Sequence, residues 1–380
     1  MRIAFFTETY IPQVNGVVTG INSFVEELTR KGNDIDIFAP APGPDKWDGA
    51  KVYRFKSITF FPYPEFRAAL PSSRVYKLVK KGKYDIIHTH GPFALGYQGW
   101  KAAVKFGIPH LTTFHTPIAD YVGYLLGGKN SPLVPIGKAI AWAYTRWYYN
   151  RFPLVLSPSF AIAQLLRDQG ITPEIEIVRT GIDLKEFDRV KKTKEVRDKF
   201  GIERDYIIHS GRLSHEKNVD NIIHAFSLIK DKVDVDLVIT SRGPLLNKLQ
   251  SLAIGLGLEG RVHFTGYVDR EDQIKLFKEA RFGIIASDAE TQGLVILEEM
   301  ACKIPVIGSN YLAIPETIHD GENGLLFRVY DTKDLADKIV WLLNHENERK
   351  RMAKNARKTA EENTNKIWTN KLLDVYNELE

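Results

Sequence analysis

Two cations and two carboxylates stand at spacings that suit a phosphorylated polyol. The segment Gly211-Arg-Leu-Ser-His-Glu-Lys-Asn-Val carries Arg212 and Lys217 in one short loop. A guanidinium forks onto two phosphate oxygens and an ammonium adds a point charge. Together they can neutralise a leaving diphosphate. The plainer alternative is a solvated basic loop paired with Glu216. Further on, Asp288-Ala-Glu-Thr-Gln-Gly-Leu-Val-Ile-Leu-Glu-Glu-Met-Ala holds Glu290 and Glu298, eight residues apart. A carboxylate can accept two hydrogen bonds from a vicinal diol such as a ribose, and backbone N–H groups between the two can take phosphate. The alternative is charge stabilisation of a helix start by Glu290 and a surface role for Glu298 or Glu299.

A third candidate is Thr7-Glu-Thr-Tyr-Ile-Pro-Gln-Val-Asn-Gly-Val-Val-Thr. Asn15-Gly16 permits a tight turn and a close backbone approach. The helix start behind it offers N–H groups and a positive dipole end to a phosphate, unless it is a plain turn. Histidines form the fourth group. His88 and His90 share one face of a strand, so a metal site is conceivable, but no suitably spaced third ligand accompanies them. His90 and His115 at strand ends read as lining a cleft, with a structural histidine as the alternative.

These loops need strands before them and helices behind them. Strand-like runs occur at Arg2–Phe6, Ile35–Ala39, Ile86–Thr89, His110–Phe114 and Leu154–Ser157. Amphipathic patterns at Val18–Lys31 and Tyr97–Phe106 separate some of them, with Gly32 and Gly107 as helix-ending residues. The pattern restarts with strands at Tyr206–Ser210, Val235–Thr240, Val262–Thr265, Phe282–Ala286, Pro305–Gly308 and Gly324–Phe327. Helices near Val219–Ile229, Gly243–Leu256, Glu271–Ala280 and Val295–Ala301 lie between them. Asp183–Lys199 reads as a linker with a short helix, and the last 20 residues as helix. Such alternation predicts two doubly wound α/β domains with parallel sheets facing a central cleft, and ligands beyond the carboxyl ends of the strands.

Two motifs are discounted. Gly255-Leu-Gly-Leu-Glu-Gly260 matches a dinucleotide fingerprint literally, yet it ends a helix and precedes a strand, the reverse of that motif. Asp34-Ile-Asp36 and Asp234-Val-Asp236 begin strands instead of following them and read as solvated edges.

Composition narrows the class. The chain has 380 residues, 44% hydrophobic and 26% charged, which is globular and excludes disordered or collagen-like classes. Its single cysteine, Cys302, excludes an internal disulfide and any multi-cysteine zinc site. The net charge of +5 hides an asymmetry. Residues 1–180 hold 21 Lys and Arg against 13 Asp and Glu, and residues 181–380 hold 31 against 34. Residues 51–151 alone carry 15 basic and 3 acidic side chains. Such a stretch suits an anionic partner. Neither a signal peptide nor a run of ~20 apolar residues is visible, so a cytoplasmic protein, with peripheral membrane contact open, is expected. No nucleic-acid recognition module is present.

The combination of ETYIPQVNGVVT, GRLSHEKN, FTGYV and the two glutamates of ETQGLVILEEMA resembles the retaining glycosyltransferases of family 4, which have the GT-B fold. Within it, the branch of diacylglycerol glucosyltransferases and GDP-mannose-dependent α-mannosyltransferases is most similar. The resemblance implies a first domain of residues 1–180 completed by 362–380, which takes the acceptor, and a second domain of 181–361, which takes the nucleotide sugar. It implies that Asn15 and Gly16 approach the donor diphosphate and that Arg212 and Lys217 grip it. Glu298 would bind the ribose and Glu290 the transferred sugar, with Gln292, Gly293 and Leu294 helping through backbone N–H groups. Tyr267 and Val268 would border the base. His115 would stand at the reaction centre, with Tyr10 and His90 on the acceptor side of the cleft. Arg242, where many relatives have an aspartate or a glycine pair, and Glu299, where a small residue is usual, depart from the pattern.

The chemistry so implied is a front-face displacement without a protein nucleophile, metal or other cofactor. A glucose or mannose would move from UDP or GDP to a lipid such as diacylglycerol. A soluble acceptor (an inositol phosphate or a glycan), or a sugar-nucleotide epimerase of the same fold, is the alternative. Cations interleave with Phe60, Phe61, Tyr63, Phe66 and Tyr76 in Lys51–Lys83, and with Trp142, Tyr144, Trp147, Tyr148 and Tyr149 in Leu133–Phe152. Both stretches suit an anionic lipid surface.

Overall fold

A computed structural model describes residues 1–13, 15–59, 67–126 and 131–379. They form two compact units, Met1–Gly181 with Asn365–Glu380, and Ile182–Thr364. Phe60, Phe61, Tyr63 and Phe66 lie outside the described residues.

Unit 1 runs β1 (Arg2–Phe6), α1 (Gly16–Arg30), β2 (Asp34–Pro40), β3 (Lys46–Trp47), β4 (Ala50–Phe55), β5 (Ser57–Thr59), β6 (Arg67–Ala69), α2 (Arg74–Gly82), β7 (Ile86–Thr89) and α3 (Ala94–Phe106). It continues with β8 (His110–Thr113), α4 (Ile118–Leu125), α5 (Val134–Tyr149), β9 (Leu154–Ser157), α6 (Phe160–Asp168) and β10 (Glu174–Ile177). The main sheet is ordered β10-β9-β8-β7-β1-β2-β4-β3, parallel except for β3 on β4, and β5 and β6 form a separate antiparallel pair. The central strands are apolar on both faces because helices cover both. Ile3 and Phe5 of β1 point into one core with Ile21 and Val25 of α1, and Ala4 and Phe6 into another with Val75 and Val79 of α2.

Unit 2 runs α7 (Leu184–Arg189), α8 (Glu195–Phe200), β11 (Tyr206–Ser210), α9 (Val219–Ser227), β12 (Asp236–Thr240), α10 (Leu246–Gly255), β13 (Val262–Gly266), α11 (Arg270–Glu279) and β14 (Gly283–Ile285). Then come α12 (Leu294–Ala301), β15 (Val306–Ser309), β16 (Gly324–Phe327), α13 (Thr332–Asn344) and α14 (Glu346–Glu361). Its sheet is ordered β13-β12-β11-β14-β15-β16 and is wholly parallel. The last helix, α15 (Asn365–Leu379), belongs to unit 1, where Leu372, Val375 and Tyr376 join the core under α1.

The strands missed by pattern are β3 to β6 and β10. Their sequences alternate charge with apolar residues (KVYRF in β4, EIEI in β10) and stand at or near a sheet edge, so they lack the continuous apolar run of a buried strand. The two DxD segments also differ from expectation. They do open β2 and β12, but Asp36 and Asp236 are buried, not solvated. Asp36 accepts a hydrogen bond from Tyr84 Oη at 2.6 Å and pairs with Arg2, while Asp236 is held by Arg261 at 3.0 Å and His263 at 2.8 Å. A carboxylate at a strand start can be buried when it is paired this fully.

Candidate active site

In unit 2 the strand order reverses between β11 and β14, so the loops after these two strands lead to opposite sides and leave a crevice. Arg212 and Lys217 follow β11, and Glu290 follows β14. Backbone and side-chain bonds fasten the two loops together. Ser287 Oγ and the Asp288 N–H both donate to the Glu216 carbonyl, at 2.9 and 3.0 Å, and Asn218 Nδ2 donates to the Ala286 carbonyl at 3.2 Å. Lys217 Nζ then donates to Glu290 Oε1. Burial pushes the ammonium down, but the carboxylates of Glu290, Glu216 and Asp288 together outweigh it, and the net shift is upward. The carboxylate in contact with Lys217 is therefore Glu290; Glu216 accepts from Ser214 Oγ at 2.5 Å. Arg212 is half-buried, with burial lowering its pKa against the pull of Glu216.

The second glutamate of the pattern is not on the surface. Glu298, in α12, is buried and accepts from Arg270 Nη1 at 2.8 Å, and Arg270 also forks onto Glu186 at 2.9 and 2.9 Å. Burial raises the Glu298 carboxyl further than Arg270 lowers it. Its neighbour Glu299 is fully buried beneath β14, with neither carboxyl oxygen hydrogen-bonded among the described residues. Burial, then Glu298, holds Glu299 well above the carboxylate range. Gly283 makes room for it, since a Cβ there would lie 2.0 Å from Glu299 Oε2.

The remaining unit 2 candidates divide by exposure. Gly293, at φ +78°, turns the chain into α12, where Leu294 is the first residue and Gln292 is buried. Tyr267 presents an exposed ring, whereas Val268 packs on the core. The Arg242 loop is pinned, because Gly243 lies against the Leu213 backbone, 2.3 Å from where a Cβ would be.

Unit 1 has its own reversal between β1 and β7. Asn15 caps α1, its Oδ1 accepting from the Val17 and Val18 N–H groups at 3.1 Å each, so these N–H groups are already satisfied. Gly16 is the first residue of α1 and has no positive φ. A Cβ at Gly16 would meet nothing within 4 Å. Tyr10 was expected on the acceptor side, but its ring is in the core. His90 is also buried, behind His115, instead of lining an open surface.

The histidines form one cluster. His88 bridges Tyr376 Oη at 2.7 Å and Thr113 Oγ1 at 2.6 Å. His90 stacks on His88 with centroids 4.1 Å apart, and its Nδ1 lies 3.1 Å from His115 Nε2. Burial holds His88 and His90 well below the usual histidine range and pushes His115 down to about 4. All three are neutral at physiological pH. Among the described residues, no group of three His, Cys, Asp or Glu could hold a metal ion.

Two buried groups escaped the sequence reading. Glu8, after β1, accepts from the Leu95 N–H at the start of α3 and from the Ala69 N–H at 3.2 Å, and burial raises its carboxyl to about 7. His209, in β11, hydrogen-bonds the Ile284 carbonyl through Nδ1 at 2.9 Å and is pushed down to about 4 by burial. No local spacing links residue 8 to 69 and 95, or 209 to 284; strand order brings them together.

Two doubly wound units, with a charged pair at the reversal of the second, are the frame of a GT-B glycosyltransferase. Two family models agree with this. "Glycosyltransferase Family 4" matches residues 14–186 and "Glycosyl transferases group 1" matches residues 192–359. The chain is 33% identical over 349 residues to an alpha-monoglucosyldiacylglycerol synthase of Streptococcus pneumoniae, covering 90% of this chain and 78% of that one. It is 27% identical over 360 residues to a GDP-mannose-dependent alpha-mannosyltransferase of Mycobacterium tuberculosis, covering 93% and 90%. It therefore belongs to glycosyltransferase family 4. In fold it is similar to a sucrose-phosphate synthase of Thermosynechococcus elongatus, with a TM-score of 0.80, 19% identity, and coverage of 100% and 99%.

Proposed function

We propose that the protein is a retaining, metal-independent hexosyltransferase acting at an anionic membrane surface. It moves glucose or mannose from a UDP or GDP sugar to a lipid hydroxyl such as that of diacylglycerol. Arg212 and Lys217 stabilise the charge that develops on the leaving diphosphate. Glu290 holds Lys217 charged and binds sugar hydroxyls, and Glu298 receives the ribose on exchange with Arg270. The glycosidic bond to the diphosphate breaks as the acceptor oxygen attacks the same face. The acceptor proton passes to the departing phosphate oxygen.

The observation that carries the lipid reading is the outer face of α5. Leu133, Ile136, Ile140, Tyr144 and Trp147 are between 38% and 65% exposed. At about 3.6 residues per turn they fall on one stripe. Trp142, Tyr148 and Tyr149 of the same segment pack inward instead. Helix α5 contains no Asp or Glu. Arg151 lies 4.1 Å over the Trp147 ring, and Lys101 lies 5.4 Å over Tyr97, which stacks on Trp147. Apolar and aromatic side chains rimmed by cations favour the interface of anionic lipid. No helix among the described residues is long and apolar enough to cross a membrane. The test is transfer from each UDP or GDP hexose to diacylglycerol in phosphatidylglycerol vesicles, with flotation of the same mixtures. Glycolipid of retained anomeric configuration, formed in the presence of a chelator, is expected. Transfer only to water-soluble acceptors, with no flotation at moderate salt, refutes the lipid reading.

A further inference from the structure

A neutral imidazole has one N–H and one bare nitrogen, and the hydrogen bond at one nitrogen fixes the other. His90 and His115 meet through His90 Nδ1 and His115 Nε2, 3.1 Å apart. One of these two nitrogens carries the hydrogen and the other accepts it. The choice is decided at the far side of His90. Its Nε2 is buried and has no hydrogen-bond partner among the described residues. The Phe5 ring stands edge-on to His90, with centroids 4.8 Å apart, and His88 stacks on it.

If His115 donated, His90 would have to carry its own hydrogen on Nε2. That would bury an unmatched N–H, which folded proteins avoid more strictly than an unmatched acceptor. If His90 donates from Nδ1, its Nε2 is a bare lone pair, and no N–H is orphaned. His115 then accepts at Nε2 and carries its hydrogen on Nδ1. Burial keeps both rings neutral, so neither escapes the choice by taking a second proton.

We infer that His90 is a positioning residue that sets the tautomer of His115, so that His115 meets a sugar oxygen as an Nδ1–H donor and not as a base. This rests on the reading of His115 as a sugar contact. It fits a displacement in which the departing phosphate, and not a side chain, takes the acceptor proton. His90 does its work from behind His115, where its own ring is buried.

Nitrogen-15 spectra of protein labelled in its histidine rings test this directly, because protonated and bare ring nitrogens resonate far apart. The His115 signals are identified by their loss in His115→Asn. The expected result is a protonated Nδ1 and a bare Nε2 at His115 in the unaltered protein. A protonated Nε2 there overturns the proposal, and no variant is needed for that outcome. His90→Asn keeps an N–H donor near the place of Nδ1, and should preserve both the His115 tautomer and transfer. His90→Phe should give a mixture of His115 tautomers and slow transfer by roughly 10- to 100-fold. An unmixed Nδ1–H form in His90→Phe also overturns the proposal. If the spectra are as expected and His115→Ala transfers sugar at the unaltered rate, the tautomer control stands and the sugar-contact reading fails.

Discussion

Units 1 and 2 share a doubly wound parallel sheet, yet the side chains at their strand reversals are opposite in kind. Unit 2 places ions there, with Lys217 on Glu290 and Arg270 on Glu298. Unit 1 places rings that burial keeps from charging and a carboxyl that burial raises, His88, His90, His115 and Glu8. Two cations of unit 1, Lys101 and Arg151, stand instead beside the apolar stripe of α5. The same topology thus supports two electrostatic solutions. Fixed internal charges suit an anionic ligand that must be gripped and released. Neutral hydrogen-bonding groups suit a hydroxyl-bearing partner, whose charge does not change on binding.

The sharpest way to break this contrast is Lys217→Ala. It removes the cation and leaves Glu290 unpaired, and transfer should fall by about 100- to 1000-fold in steady-state assays. Undiminished turnover would end the assignment of ions to the donor. A double change with Glu290→Ala should cost far less than the product of the two single losses, because the residues act as a unit.

On the exterior of unit 1, Ile140→Ser should weaken vesicle binding by roughly 10- to 100-fold, the size expected for ~1.5–3 kcal/mol per buried aliphatic side chain. Soluble-donor binding, read by thermal shift, should not change. Loss of both would mean that the stripe supports the fold and not a membrane.

Acid should separate the units next. The folded pKa values of His88, His90, His115 and His209 lie below the ordinary histidine value, so unfolding takes up protons. Their stabilisation is fully present above about pH 6.5 and is lost as pH falls below it, toward about 4 for His115 and His209. Glu8, raised to about 7, works the other way and loses stabilisation as pH rises from about 4.5 to 7. Three of the four histidines are in unit 1, so Tm measured from pH 7 to 5 should fall, and Glu8→Gln should steepen the fall. A flat profile in both proteins would mean that the rings are not held neutral by burial.

The smallest effect is expected at Asn15. Asn15→Ala removes the cap of α1 and should cost ~1 kcal/mol in denaturant unfolding. A simultaneous large loss of donor affinity would move Asn15 from the helix into the donor site, and so blur the contrast between the units.

How much of this was legible beforehand varies with range along the chain. Runs such as IAFF and YIIHS declare buried strands because parallel strands covered on both faces are apolar throughout. Glu290 and Lys217 could each be singled out from their loops, since chemistry-bearing residues after strands stand at the ligand edge of such sheets. The charged strands β4, one place in from an edge, and β10, at the other edge, were not legible, because near an edge polar and apolar patterning relax together.

Sequence by itself thus determined the alternation of strand and helix, the family, and the candidate loops, because each depends on neighbours within one element or one turn. Tertiary structure alone decided that Lys217 pairs with Glu290 and not Glu216, that Glu298 is held by Arg270, and that Asp36 and Asp236 are buried rather than solvated. It also withdrew Tyr10 and His90 from the surface and set His90 against His115. The physical reason is common to all of these. A partner across a sheet is chosen by strand order and by what must be satisfied once water is excluded, and neither is written in local spacing.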